Sequence, residues 1–163
     1  MTGTFKKNYI WWVTAFCWCM VIFYQSSKNA ELSDMNSLFI VDLINQMLVS
    51  IFGSGAVSIS NFIVRKSAHF IEYMVLGGLL FKSLFNGLKL KTVTITAFLC
   101  GLGYSITDEI HQIFVPGRTA KILDVLIDST GIASGLLLIC MFTVWRQRRL
   151  KTKKLNNECQ KTI

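Results

Sequence analysis

"TVTITAFLCGLGYSITDEIHQIFVPGR", residues 92–118, begins as a run suited to hydrocarbon and ends in two carboxylates, a histidine, an amide and an arginine. Its first part, 92–112, has about the 20 residues a helix needs to cross a bilayer core. Three further stretches have the same character. "YIWWVTAFCWCMVIFY" leads a span at about 9–26, "AHFIEYMVLGGLLFKSLF" one at about 68–88, and "LDVLIDSTGIASGLLLICMFTVW" one at about 123–145. The whole chain agrees with them: 52% of its 163 residues are hydrophobic, there is one proline, and mean hydropathy is +0.48. Only 16% are charged, against about 25% in an average soluble chain. The expected fold is all-α, a polytopic transmembrane bundle of about four spans.

About forty residues join spans one and two. Within them "SLFIVDLINQMLVSIFG" (37–53) puts Asp42, Asn45, Gln46 and Ser50 on one helical side, which suits a helix in the interface or over the bundle. A fifth short membrane segment is the alternative. One transmembrane domain, 1–145, is expected, followed by a basic tail, 146–163. Lys6 and Lys7 give the first span the start of a signal peptide, but no small-x-small site follows, so an uncleaved span is expected. No two of the five cysteines have CxxC spacing, and four of them lie in apolar stretches, as buried soft hydrophobes do.

The net charge of +8 is unevenly placed. Seven of seventeen Lys and Arg follow Trp145, in "RQRRLKTKK" and at Lys161. A basic run beside a span marks a cytoplasmic flank with affinity for anionic lipid, and no nucleic-acid module accompanies it. With the N-terminus inside, twelve basic residues fall on inner segments and five (Lys28, Arg65, Lys66, Arg118, Lys121) on outer ones. The expectation is a multi-pass protein with both termini cytoplasmic.

That topology collects the polar residues. Lys66, His69, Tyr73 and Gly77 follow helical steps of 3, 4 and 4, and so share a stripe. Gly101, Ser105, Asp108 and Gln112 form a second stripe; Asp124, Asp128, Gly131 and Gly135 form a third. Each is polar at its outer end and has glycine deeper, where small residues let helices approach closely. Together with Glu72, Glu109, His111 and Arg118, the polar ends are expected to line an outward-facing pocket, with the Pro116–Gly117 turn as its lip. Gly77, Gly101, Gly131 and Gly135 are the expected packing positions.

"KSAHFIEYMVLGGLL" (66–80) and "DEIHQIFVPGRTAKILDVLIDSTGIASG" (108–135) resemble the VanZ-like family of bacterial integral membrane proteins. Its pattern runs Lys-x-x-His-x-x-x-Tyr-x-x-x-Gly, then Asp/Glu-Glu-x-x-Gln, then Arg, then Asp-x-x-x-Asp/Asn-x-x-Gly-x-x-x-Gly. It falls here on Lys66, His69, Tyr73 and Gly77, on Asp108, Glu109 and Gln112, on Arg118, and on Asp124, Asp128, Gly131 and Gly135. Position 128 is often Asn in that pattern, so Asp128 adds a negative charge. The resemblance implies a bacterial cell-membrane protein of the envelope. Founding members are associated with low-level resistance to teicoplanin-type glycopeptides, and no biochemical activity is attached to the family.

Three functional readings stay open. Lys66 and Arg118, with His69, could hold a phosphate or carboxylate of a lipid-linked or glycan envelope precursor. The charges could instead pair only to pack helices. Or His69 with Glu72, or Asp108 with His111, could act as acid and base or ligate a metal in a hydrolase or transferase. Catalytic residues, metal and cofactor are not fixed by the sequence. Membrane lipids are the expected partners, nucleic acid is not, and the glycine-rich faces leave room for a homodimer.

Overall fold

The computed structural model describes residues 2–161 apart from 54, 56 and 87. The side chains of Lys6, Lys7, Glu158, Cys159 and Lys161 lie outside the described residues. Five helices follow one another: α1 (Thr2–Ser26), α2 (Ala30–Phe52), α3 (Asn61–Leu84), α4 (Leu90–Gln112) and α5 (Ile122–Lys161). Local signals set several of their ends. The Asn29 side chain caps α2 by accepting from Leu32 N at 2.9 Å, Ser60 stands at the α3 N-cap, and Gly53 closes α2 at φ +78°. Val115–Pro116–Gly117–Arg118 makes a tight turn in which Arg118 N donates to Val115 O at 3.1 Å. Gly117 supplies the positive φ, +76°, that this turn requires at its third position.

Helices α1, α3, α4 and α5 form the bundle, and its principal seam joins α3 to α5. Glycine makes that seam. A Cβ on Gly77 would stand 2.7 Å from Ile132 O, and Cβ atoms on Gly131 and Gly135 would meet Phe70 O and Met74 O. The backbones therefore touch, with Tyr73, Leu76, Phe81, Ile132 and Leu136 buried around them. α1 lies antiparallel on α3: Lys82 covers the Trp11 ring, and Trp18 Nε1 donates to Glu72 O at 2.9 Å. Tyr104 of α4 ties down the same helix by donating to Cys19 O at 2.6 Å.

The outside of the bundle is as apolar as its core. Phe16, Met20, Leu99, Ile106, Leu137, Leu138 and Met141 are all exposed. A water-soluble surface does not present so many large apolar side chains together, whereas lipid accepts them. The protein is an all-helical membrane protein.

In three places the helices extend beyond the apolar segments read from the sequence. α3 begins at Asn61 rather than near Ala68, because the Ser60 cap starts the helix before the apolar run does. α2 begins at Ala30 and has the length and hydropathy (1.5) of a crossing helix. Its side-chain anchors nevertheless lie between Ile59 and Arg65: Asp34 accepts from Asn61 and Arg65, and Asn45 brackets the Ile59 peptide at 2.8 and 3.3 Å, while Ala30 N donates to Pro116 O at 3.3 Å. It therefore covers the polar end of the bundle and does not follow α3 through it. Finally, α5 continues past Trp145 as one helix of 40 residues, about 60 Å long and so about twice a bilayer core.

Candidate functional site

The polar ends of the stripes do gather at one end of the bundle, and most of them are paired. Lys66 of α3 forms an ion pair with Asp124 at the start of α5, both side chains being largely buried. One turn further on, His69 Nδ1 lies 3.4 Å from Asp128 Oδ1. Asp128 is fully buried and accepts from Ser105 Oγ of α4 at 2.7 Å. Thus α3, α4 and α5 are joined by one carboxylate. Gln112 Nε2 donates to Asp108 Oδ2 at 3.3 Å within α4. Glu109 Oε2 accepts from Lys121 N at 2.8 Å, which folds the 113–121 loop back over α4. Buried charges in a membrane are tolerated when paired in this way.

Two cavities open at this end and meet at Arg65 and Arg118. The first, about 140 Å³, lies between α1, α2 and α3 and is reached by His69, Glu72, Asp108 and Arg118. The second, about 340 Å³, lies under the 116–121 loop and is bordered by Lys66, Gln112, Arg118 and Asp124. Tyr73, Glu109, His111 and Asp128 line neither cavity. Tyr73 and Asp128 are closed inside the bundle, at 0% exposure each. His111 turns instead toward α1, its ring 4.5 Å from that of Phe23 and its Nε2 3.1 Å from Ser27 Oγ. Among the described residues no three His, Cys, Asp or Glu side chains converge as a metal site.

Arg118 occupies the junction. It is half-buried, its NH2 group donates to Gln25 O at 3.4 Å, and its buried Nε has no acceptor. Burial and the neighbouring Arg65 push its pKa down from the usual value, while Asp108, Glu109 and Asp34 pull it up. The guanidinium remains charged, with one donor unsatisfied.

Sequence reasoning missed Arg65, which borders both cavities and pairs with Asp34 at 2.6 Å. The signal was present: Arg65, His69 and Glu72 are spaced by 4 and 3, a second stripe beside the one starting at Lys66. It also missed the α2 wall, where Ser33, Asn36, Ser37 and Ile40 share one helical face over the first cavity. The polar side chosen on α2, beginning at Asp42, lies further along the helix.

With this arrangement in view, comparison with known proteins gives one finding. The sequence matches the model of the VanZ/LLP1 family over residues 11–143, most of the chain and all four bundle helices. The chain belongs to the VanZ/LLP1 family. No curated protein and no solved structure matches it. As a VanZ/LLP1 protein it is a membrane protein of the cell envelope, and the matched span takes in every stripe and both cavities.

Proposed function

We propose that this VanZ/LLP1 protein sits in the bacterial plasma membrane with both termini cytoplasmic. Its outward-facing cavities hold the polar head of an envelope component, a lipid or a lipid-linked or glycan precursor. By holding it, the protein alters sensitivity to teicoplanin-type glycopeptides. The observation that carries this reading is Arg118: a half-buried guanidinium with a free buried donor, placed where two cavities meet. Planar donors of this kind suit phosphate and carboxylate oxygens. The Lys66–Asp124 and His69–Asp128–Ser105 contacts favour a second reading for their own residues, a lock between helices. The two roles occupy different side chains and are compatible.

Native mass spectrometry tests the binding role. The detergent-purified wild type should carry a co-purifying adduct, and Arg118→Ala should lose at least nine-tenths of it while keeping its melting temperature. An adduct equally abundant on the variant would remove Arg118 from the site. Topology is tested separately, by cysteine labelling in a background whose five native cysteines are serine. An impermeant maleimide should label Thr119→Cys in intact cells and Thr152→Cys only after permeabilisation. The reverse pattern would invert the orientation and place the cavities inside.

A further inference from the structure

We infer that the ligand of the first cavity is zwitterionic, an amphiphile whose headgroup carries a phosphate for Arg118 and an ammonium for Glu72 and Asp108. This rests on the reading that the cavity binds an envelope component, and it names that component's chemical class. The argument is one of elimination among charges. Arg65 is occupied by Asp34, Lys66 by Asp124, and Asp128 by Ser105 and His69. Of the charged groups that reach the first cavity, this leaves Arg118, Glu72 and Asp108, with Lys28 at the rim over Tyr24.

The three remaining inner groups do not neutralise one another. Among the described residues no salt bridge joins Arg118 to Glu72 or Asp108. Asp108 is 4% exposed, and its Oδ1 has no hydrogen-bond partner, just as Arg118 Nε has none. Asp108 and Arg118 thus border one space with opposite charges, and each keeps a buried polar atom without a partner. A ligand bearing only an anion would satisfy Arg118 while facing two carboxylates, and like charges brought together in a desolvated site are strongly disfavoured. A ligand bearing only a cation meets the converse difficulty. A headgroup with both signs satisfies the free groups together. Ile22, Ile40, Val64 and Ala68 supply the apolar part of the wall, and Gln25, Ser26, Ser33, Asn36 and Ser37 the uncharged polar part, so an amphiphile meets both kinds of side chain.

The test uses the full chain in detergent, with binding followed by native mass spectrometry and thermal shift. Four probes are compared: phosphatidylethanolamine, phosphatidylglycerol, phosphatidylcholine and soluble phosphoethanolamine. Phosphatidylethanolamine should bind at least tenfold more tightly than phosphatidylglycerol, which lacks the ammonium. It should also exceed phosphatidylcholine, whose quaternary ammonium cannot donate hydrogen bonds. Glu72→Gln with Asp108→Asn should bring the two headgroup preferences within twofold while phosphatidylglycerol still binds. Binding of soluble phosphoethanolamine would support headgroup recognition without the chains, and binding of the lipid alone would support recognition of the amphiphile. Should the double variant fail to fold, selectivity of the wild type decides. Arg118-dependent binding of phosphatidylglycerol as tight as that of phosphatidylethanolamine would overturn the zwitterion and leave the binding role standing. No binding of any probe, with no adduct on the purified protein, would overturn both.

Discussion

Gly135→Val should abolish the native bundle or cost it about 3 kcal/mol or more, beyond the ordinary penalty for overpacking a core. The reason is the atom that a side chain would meet. At Gly135 the nearest neighbour is the Met74 backbone carbonyl, and at Gly131 it is that of Phe70. A flexible side chain could swing aside, but backbone in the middle of a helix cannot move without dragging the helix with it. Moving α3 and α5 apart would also strip contact from Leu76, Ile132 and Leu136, all 2% exposed or less. A thermal melt in detergent, read with a thiol-reactive dye on the free cysteines, measures the loss. The control is Gly78→Ala on the same α3, where a Cβ meets nothing within 4 Å. That change should stabilise slightly, by about 0.5–1 kcal/mol, as alanine does over glycine in a helix. Equal melting of Gly135→Val and wild type would mean that the α3–α5 seam is not close-packed.

Lys66→Ala should be nearly as damaging, by about 3–5 kcal/mol, because it leaves a carboxylate without its counter-ion in a buried place. Asp124 keeps only 8% of its side chain accessible, so water cannot replace the lost ammonium. Removing both charges is a different matter. Lys66→Met with Asp124→Leu deletes the desolvation cost along with the attraction, and such replacements are often neutral or better. The double variant should therefore recover most of the loss, which gives the pair a coupling energy of several kcal/mol in a double-mutant cycle. A Lys66→Ala variant within about 1 kcal/mol of wild type would show the pair to be wet, as surface pairs are.

The sequence made much of this architecture legible, and the limits have physical causes. Helical stripes depend only on spacing along one helix, so Lys66, His69 and Tyr73 could be grouped, as could Asp124, Asp128 and Gly135. Which member of one stripe meets which member of another depends on the offset between helices, and spacing says nothing of offsets. The pairing of Lys66 with Asp124, and of His69 with Asp128, is set by that offset. His111 adjoins the polar cluster in sequence, but the rotation between successive helical residues turns it away toward Phe23. α2 was the hardest element, since its hydropathy describes a crossing helix and only its anchors at Asp34 and Asn45 reveal its place. The helix outruns the apolar span at the end of α5 for a related reason. Hydropathy falls after Trp145, while Arg, Gln, Leu and Lys all sustain a helix in water.

The unbroken α5 makes the two sides of the membrane parts of one lever. Asp124, bound to Lys66, stands at its first turn, Arg146, Arg148 and Arg149 follow about 33–38 Å away, and the helix ends about 55 Å away. No proline interrupts the rod, and its two deep glycines are clamped against α3. A tilt of about 10° about its first turn would carry the far tip through about 10 Å, a displacement large beside the side-chain adjustments that start it. Whatever loosens or tightens the Lys66–Asp124 pair thereby changes where the basic end of α5 lies.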